Sequence, residues 1–216
     1  GAVRNMGHDF WNLLTGIHYL YENKILHKVN KFLVGPFDHI NIGDVFPEIS
    51  SENIVNFGEP GEIFLYILEN NYVAVIATGF FLKEELANKM HSGAIKRCSP
   101  DCLQTVEKAK KHFPLLWFEI RSSNARVWVS QVEGIANIIK SLHSDFPNLG
   151  VVFAGWHRLA IDYPGAEAVI GREESIRKEI LALIPPDIET YSTIGRPIYE
   201  AVVWVNAIDI HITPFG

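Results

Sequence analysis

The chain has 216 residues, of which 48% are hydrophobic and 20% are charged, and its formal net charge is -6 at pH 7. This composition is typical of a soluble globular protein with one or two domains. The negative net charge and the absence of basic blocks argue against nucleic acid as the main partner. No apolar run approaches the about 20 residues that a membrane-spanning helix needs, so we expect no transmembrane segment.

Cysteine content and the chain ends limit the choice further. The two cysteines, Cys98 and Cys102, cannot form a disulfide framework, and no other ligands lie beside them at zinc spacing. We therefore predict ordinary thiols, no metal site and no cofactor. The chain begins at Gly1 without a signal peptide and ends at Gly216 directly after a strand-like run. These ends predict a piece of a longer, cytoplasmic protein.

The first half of the chain, residues 1–113, is predicted to be one domain of mixed elements. Its first helix is expected over residues 7–21, which carry a broad apolar face. A turn is predicted at residues 58–61, and residues 63–68 fit a helix or a strand equally well. The other predicted elements are strands at 29–34, 54–57 and 72–77, and helices at 83–94 and 99–112.

The second half, residues 114–216, alternates strands and helices more regularly. Such alternation with short connections predicts a parallel sheet with helices on both faces. Ser130 and Glu133 also fit a capping box at the start of one helix. The predicted strands cover residues 115–121, 150–154, 188–191 and 208–213, the helices cover 130–143, 173–184 and 197–206, and a loop covers 155–171.

Polar side chains follow the predicted strands of this half, where each strand ends. Because the carboxyl ends of parallel strands meet at one edge, we expect these residues to form a ligand site. Arginines and a helix N-terminus suit phosphate, an aromatic ring suits a base or sugar, and hydroxyls fix orientation. Arginines on loops are, alternatively, often only solvated. The candidate donor-site residues are Arg121, Asn124, Arg126, Trp156, Thr193, Thr213 and Gly216.

A second group of candidate residues opens the first predicted helix. His8 and Asn12 are one helical turn apart, and Trp11 lies on the adjoining face. His8 could act as a general base or contact a sugar, or it could cap the first helical turn. The other histidines, among them His18, show no regular metal-ligand spacing and are expected on surfaces.

Several common signatures are absent from the sequence. There is no Gly-x-Gly-x-x-Gly, P-loop, Gly-x-Ser-x-Gly or His-Glu-x-x-His pattern. Their absence argues against the commonest dehydrogenases, nucleotidases, hydrolases and zinc proteases. No Asp-x-Asp follows a strand, which is the usual means of holding a metal-bound nucleotide sugar.

Three weak motifs, in order along the chain, resemble bacterial glycosyltransferases of the GT-B type, most nearly those of family 61. The first is Gly7-His8 with Trp11-Asn12, which is similar to that family's early His-Trp helix. The second, residues 120–126 followed by Gln131 and Glu133, resembles its strand, arginine loop and Asn/Glu helix, with the family's double arginine reduced to Arg121. The third is the strand that runs into residues 213–216.

This third motif resembles the family's strand ending in Gly-x-x-Gly-Ala-Gly-Leu. Thr213 replaces its first glycine and Phe215 stands at its histidine position, while the Ala-Gly-Leu is absent from this chain. Both departures fall in the loop that would hold the donor.

The resemblance implies a metal-independent, inverting glycosyltransferase built from two Rossmann-like halves with parallel sheets flanked by helices. A nucleotide-sugar donor would bind the C-terminal half, and a glycan or protein acceptor would enter from the N-terminal half. Arg121 would neutralise the leaving diphosphate, and Trp156 would stack on the base or sugar. His8 would be the catalytic base, with Trp11 and Asn12 contacting the acceptor.

Two other interpretations remain open from the sequence alone. A non-catalytic carbohydrate-binding or partner-binding domain could have kept the fold and lost the donor loop. An unrelated α/β enzyme, such as a sugar-phosphate isomerase, would have one continuous sheet in place of two halves.

Overall fold

The computed structural model describes residues 9–35, 41–76, 78–79, 81–122, 128–158 and 165–213. These residues form two compact units, and the chain passes from the first unit to the second between residues 96 and 97. The sequence predicts a domain boundary at residue 113, whereas contacts within the structure group residues 97–113 with the second unit.

The first unit opens with one π-helical turn, Asp9–Leu14, that continues as helix α1, Thr15–Glu22. Two short parallel strands, β1 and β2, pair with each other. The predicted helix is therefore found over its described residues, 9–21, and both short strands are found with small shifts of their ends. The remaining bounds in this unit are β1 Phe32–Val34, α2 Ile42–Val45, β2 Ile54–Asn56, α3 Pro60–Glu69 and α4 Glu84–Arg97.

Two predictions in this unit were wrong. Pro60 does not belong to a turn but begins α3, because Glu59 before it and Glu62 after it form a capping box with the proline at the first helical position. The predicted strand at 72–77 is not formed over its described residues, 72–76. No neighbouring strand pairs with this segment, and Val73 is 93% exposed. The β-branched composition therefore had no sheet to join.

The second unit contains a four-stranded sheet that is parallel throughout, as predicted. The strands lie in the order β5-β4-β3-β6, so the chain steps outward from β3 to β5 and then returns to the other side of β3. The bounds are α5 Pro100–Ala109, β3 Leu115–Glu119, α6 Gln131–Asp145, β4 Gly150–Ala154, α7 Ala166–Leu181, β5 Glu189–Ser192, α8 Ile198–Val205 and β6 Ile210–Ile212.

Helices cover both faces of this sheet. On one face, Phe118 and Phe153 pack in a core with apolar residues of α6 and α7. On the other face, the ring of Trp204 in α8 lies 5.2 Å from that of Tyr191 in β5. Strands β3 and β4 are buried along almost their whole length, which explains their continuous apolar sequence. Helix α7 begins at residue 166, so the predicted loop over 155–171 was too long.

None of the helices in the described ranges combines the length and the hydropathy that crossing a bilayer requires.

Candidate functional site

The strand order places a change of direction between β3 and β6. The chain leaves β3 for β4 on one side and reaches β6 on the other side. In open parallel sheets, this switch point leaves a crevice at the carboxyl ends of the two strands, and ligands bind there. The residues at that point are Glu119, which ends β3, Arg121, which follows β3, and Thr213, which follows β6.

These three residues form what we call the switch-point cluster. Arg121 Nη2 lies 2.6 Å from Glu119 Oε1, and the Thr213 hydroxyl donates a hydrogen bond of 2.6 Å to Glu119 Oε2. The side chain of Arg121 is 36% exposed, while its Nε is buried and has no hydrogen-bond partner. The guanidinium is thus only partly occupied by Glu119, and a donor remains unsatisfied.

Gln131 fixes the backbone of this cluster. Its side-chain oxygen accepts from the Arg121 N–H at 2.9 Å, and its side-chain nitrogen donates to the Arg121 carbonyl at 3.1 Å. The first residue of α6 therefore continues the hydrogen bonding of β3 and sets the helix N-terminus beside Arg121. The capping box expected here was wrong, because Ser130 (φ -103°, ψ 40°) is not extended and its side chain makes no capping bond.

Replacing Gln131 with alanine should lower the free energy of unfolding by about 1–3 kcal/mol, because it leaves partly buried backbone groups of Arg121 unpaired. Chemical denaturation measures this loss. Gln104→Ala on α5 is the matched control, since Gln104 is exposed. Equal stability of the two variants would contradict the role of Gln131.

A buried carboxyl group lies next to the cluster. Glu173 of α7 is 4% exposed and accepts from the Trp156 backbone N–H at 2.6 Å and from the Ser122 hydroxyl at 3.4 Å. Burial raises the pKa of Glu173, although these hydrogen bonds and the charge of Arg121 oppose the shift. A Cβ at Gly155 would lie 2.4 Å from Glu173 Oε2, so glycine is needed for this close approach.

Glu173→Gln should become more stable relative to the wild type as pH rises. Because the folded-state pKa is above its ordinary value of 4.5, the folded protein binds more protons than the unfolded chain between these two pKa values. The wild type thus loses stability as pH rises through this window, and the glutamine variant does not. Urea denaturation from about pH 4 to about pH 8 tests the sign, and a constant difference would contradict it.

The ends of β4 and β5 bring together Trp156, His157 and Thr193. His157 Nε2 lies 3.3 Å from the Thr193 hydroxyl, and burial lowers the pKa of His157 to about 4, so the ring is neutral at pH 7. Thr193 is fully buried, and its hydroxyl contacts this ring. Arg158, next in the chain, pairs with Glu167 at 2.5 Å. His157 after β4 and Thr193 after β5 are therefore neutral groups at this edge of the sheet.

Several predicted site residues lie outside the described ranges. They are His8, Asn124, Arg126 and Gly216. Of the predicted acceptor residues, Trp11 lies in the π-helical turn, and the Asn12 carbonyl accepts from the Gly79 N–H at 3.0 Å.

The sequence analysis named Arg121 and Thr213, which the structure brings together, and named Gln131 only as part of the second motif, while it did not name Glu119 or Glu173. Glu119 is the only charged residue in the run Leu115–Glu119, and that isolated charge was the available signal. Nothing in the sequence indicated that Glu173 would contact Ser122, 51 residues away.

Comparison with known proteins adds no relative: no family model, curated protein or solved structure matches the chain.

Proposed function

We propose that the chain is part of a metal-independent, inverting glycosyltransferase that takes its sugar from a nucleotide-sugar donor. The observation that supports it most directly is the partly unsatisfied Arg121 at the switch point of a parallel sheet. The motif resemblance in the sequence points to the same class.

The charges of the cluster suit a ligand that carries both hydroxyl and phosphate groups. The carboxylate of Glu119 already accepts a hydrogen bond from the Thr213 hydroxyl, and it can accept one from a ribose or sugar hydroxyl in the same way. Arg121 offers charge-assisted donors to a phosphate oxygen, and α6 begins beside it. A nucleoside diphosphate sugar has both kinds of group.

In the proposed reaction, Arg121 and the N-terminus of α6 stabilise the negative charge on the departing diphosphate. A general base removes the proton from the acceptor hydroxyl as that oxygen attacks the anomeric carbon. The proposal assigns this base to His8 and acceptor contacts to Trp11 and Asn12. It further assigns GT-B halves to the two units, with the donor on the second, and a cytoplasmic location where such donors are available.

Calorimetric titration with UDP, GDP, ADP and CDP tests donor binding. We expect one of these nucleotides to bind at a single site with a Kd of roughly 1 μM to 1 mM, the range of typical enzyme substrates. Absence of heat from all four nucleotides at millimolar concentration would overturn the proposal.

A non-catalytic carbohydrate-binding domain is the second candidate, and the Glu119–Arg121 ion pair favours it. That pair offsets the charge of Arg121 and leaves a neutral pair suited to sugar hydroxyls. This candidate predicts binding of free oligosaccharide without binding of any nucleoside diphosphate, so the same titration separates the two functions.

A further inference from the structure

A second cluster of polar side chains lies in the first unit. His18 and Glu22 are four residues apart on α1 and therefore share a face, and Glu85 stands in the first turn of α4. One nitrogen of His18 and one oxygen from each carboxylate all lie within 4.8 Å of one another. Two exposed carboxylates alone would not indicate a metal site, but the third member of this cluster is a buried imidazole.

His18 was expected on the surface, and that expectation was wrong. Its side chain is 2% exposed, and its ring packs 5.9 Å from that of Tyr21. Neither ring nitrogen has a hydrogen-bond partner, and Nε2 lies 3.8 Å from Glu22 Oε1. Buried polar atoms without partners are rare and costly, so each one requires an explanation such as an ion.

The carboxylate of Glu22 already forms an ion pair with Lys83. The Lys83 amino group donates to both oxygens of Glu22, at 2.7 and 2.8 Å. Both carboxylate oxygens of Glu22 are therefore already oriented toward a positive charge. The Lys83 side chain is 57% exposed and can turn into solvent when another cation takes its place.

We propose that His18, Glu22 and Glu85 bind a divalent cation of the Zn²⁺ type, which displaces the Lys83 amino group and links α1 to α4. One imidazole nitrogen and two carboxylate oxygens are ligands that Zn²⁺ accepts, with water completing a tetrahedron. Ligand atoms around zinc are about 3.3 Å apart. The two glutamate side chains are exposed, so their rotation can bring the ligand atoms from within 4.8 Å to that distance. The site is structural and separate from the proposed transfer, which uses no metal.

The test uses the metal-free chain and Zn²⁺ competed against a chromophoric chelator. Glu85→Gln should weaken binding by roughly tenfold or more, since it removes a ligand. Glu84→Gln, at the adjacent exposed position in the same helical turn, should bind as the wild type does. Lys83→Gln should bind more tightly, because the competing cation is gone.

Two spectroscopic measurements identify the ligands. Bound Co²⁺ should show the intense visible absorption of a four-coordinate ion, and Zn²⁺ should shift the ¹⁵N resonance of one ring nitrogen of His18. Equal Zn²⁺ affinity of Glu85→Gln and Glu84→Gln would overturn the proposal, as would an unshifted His18 resonance at saturating Zn²⁺. Neither result depends on a variant of the buried His18, whose loss could unfold the unit.

Discussion

Replacing Arg121 with alanine is expected to weaken nucleoside diphosphate binding by roughly ten- to a hundredfold, because it removes charge-assisted hydrogen bonds of about 1.5–3 kcal/mol. The ligand is the nucleotide that binds best in the calorimetric panel. Loss of transfer should be at least as large, since the diphosphate gains charge in the transition state. Arg121→Lys should recover only part of the affinity, because an ammonium group lacks the planar fork of a guanidinium group.

Arg177→Ala is the matched control for this prediction. Arg177 also forms an ion pair, with Glu174 at 2.8 Å, and both residues lie on α7. Its loss should leave nucleotide affinity unchanged. If Arg121→Ala and Arg177→Ala bound nucleotide as tightly as the wild type, Arg121 would be a structural partner of Glu119 and the phosphate role would be wrong. Thermal denaturation of each variant separates lost binding from lost folding.

The ion pair with Glu119 also determines what the ligand must do. A phosphate oxygen that binds Arg121 competes with Glu119 for the exposed end of the guanidinium, because the unsatisfied Nε is buried. Glu119 then exchanges the guanidinium for a hydroxyl of the ligand, and the two groups separate by rotation of their side chains. The cluster is therefore suited to a ligand that supplies both partners at once, and inorganic phosphate alone should bind more weakly than a nucleoside diphosphate.

The sequence predicted the two central strands of the second sheet, β3 and β4, well because they are buried on both faces. Such strands are continuous apolar runs, and β4 was predicted with its observed bounds, Gly150–Ala154. Residues 72–76 have the same β-branched composition but pair with no strand, and Val75 and Ile76 remain exposed. Composition measures the tendency to fit a sheet, whereas pairing depends on which other strands the fold provides.

The site was predictable only where it follows directly from strand ends. Arg121 follows β3, so its place at the sheet edge is a consequence of topology. Glu173 reaches the edge from the middle of α7, and the helical period does not distinguish it from the neighbouring Glu174. Glu174 instead contacts Arg177 and the Ser192 hydroxyl. Which of two adjacent glutamates becomes buried depends on tertiary packing.

Phe118→Ala is expected to lower the free energy of unfolding by about 3–5 kcal/mol, through lost burial and the cavity left behind. Phe118 is fully buried in β3, and its ring centre lies 6.5 Å from that of Phe153. For a protein of this size, the loss corresponds to a decrease in Tm of roughly 6 to 20 °C. Thermal denaturation followed by near-ultraviolet circular dichroism measures it.

Phe81→Ala makes the same chemical change at a side chain that is 83% exposed, and it should alter stability by less than about 0.5 kcal/mol. The comparison tests the sheet assignment itself, because both residues are phenylalanines in apolar sequence and only Phe118 belongs to a paired strand. A destabilisation by Phe81→Ala equal to that by Phe118→Ala would show that residue 81 is packed and that its exposed position is wrong. A large loss confined to Phe118 supports the four-stranded core on which the switch-point cluster depends.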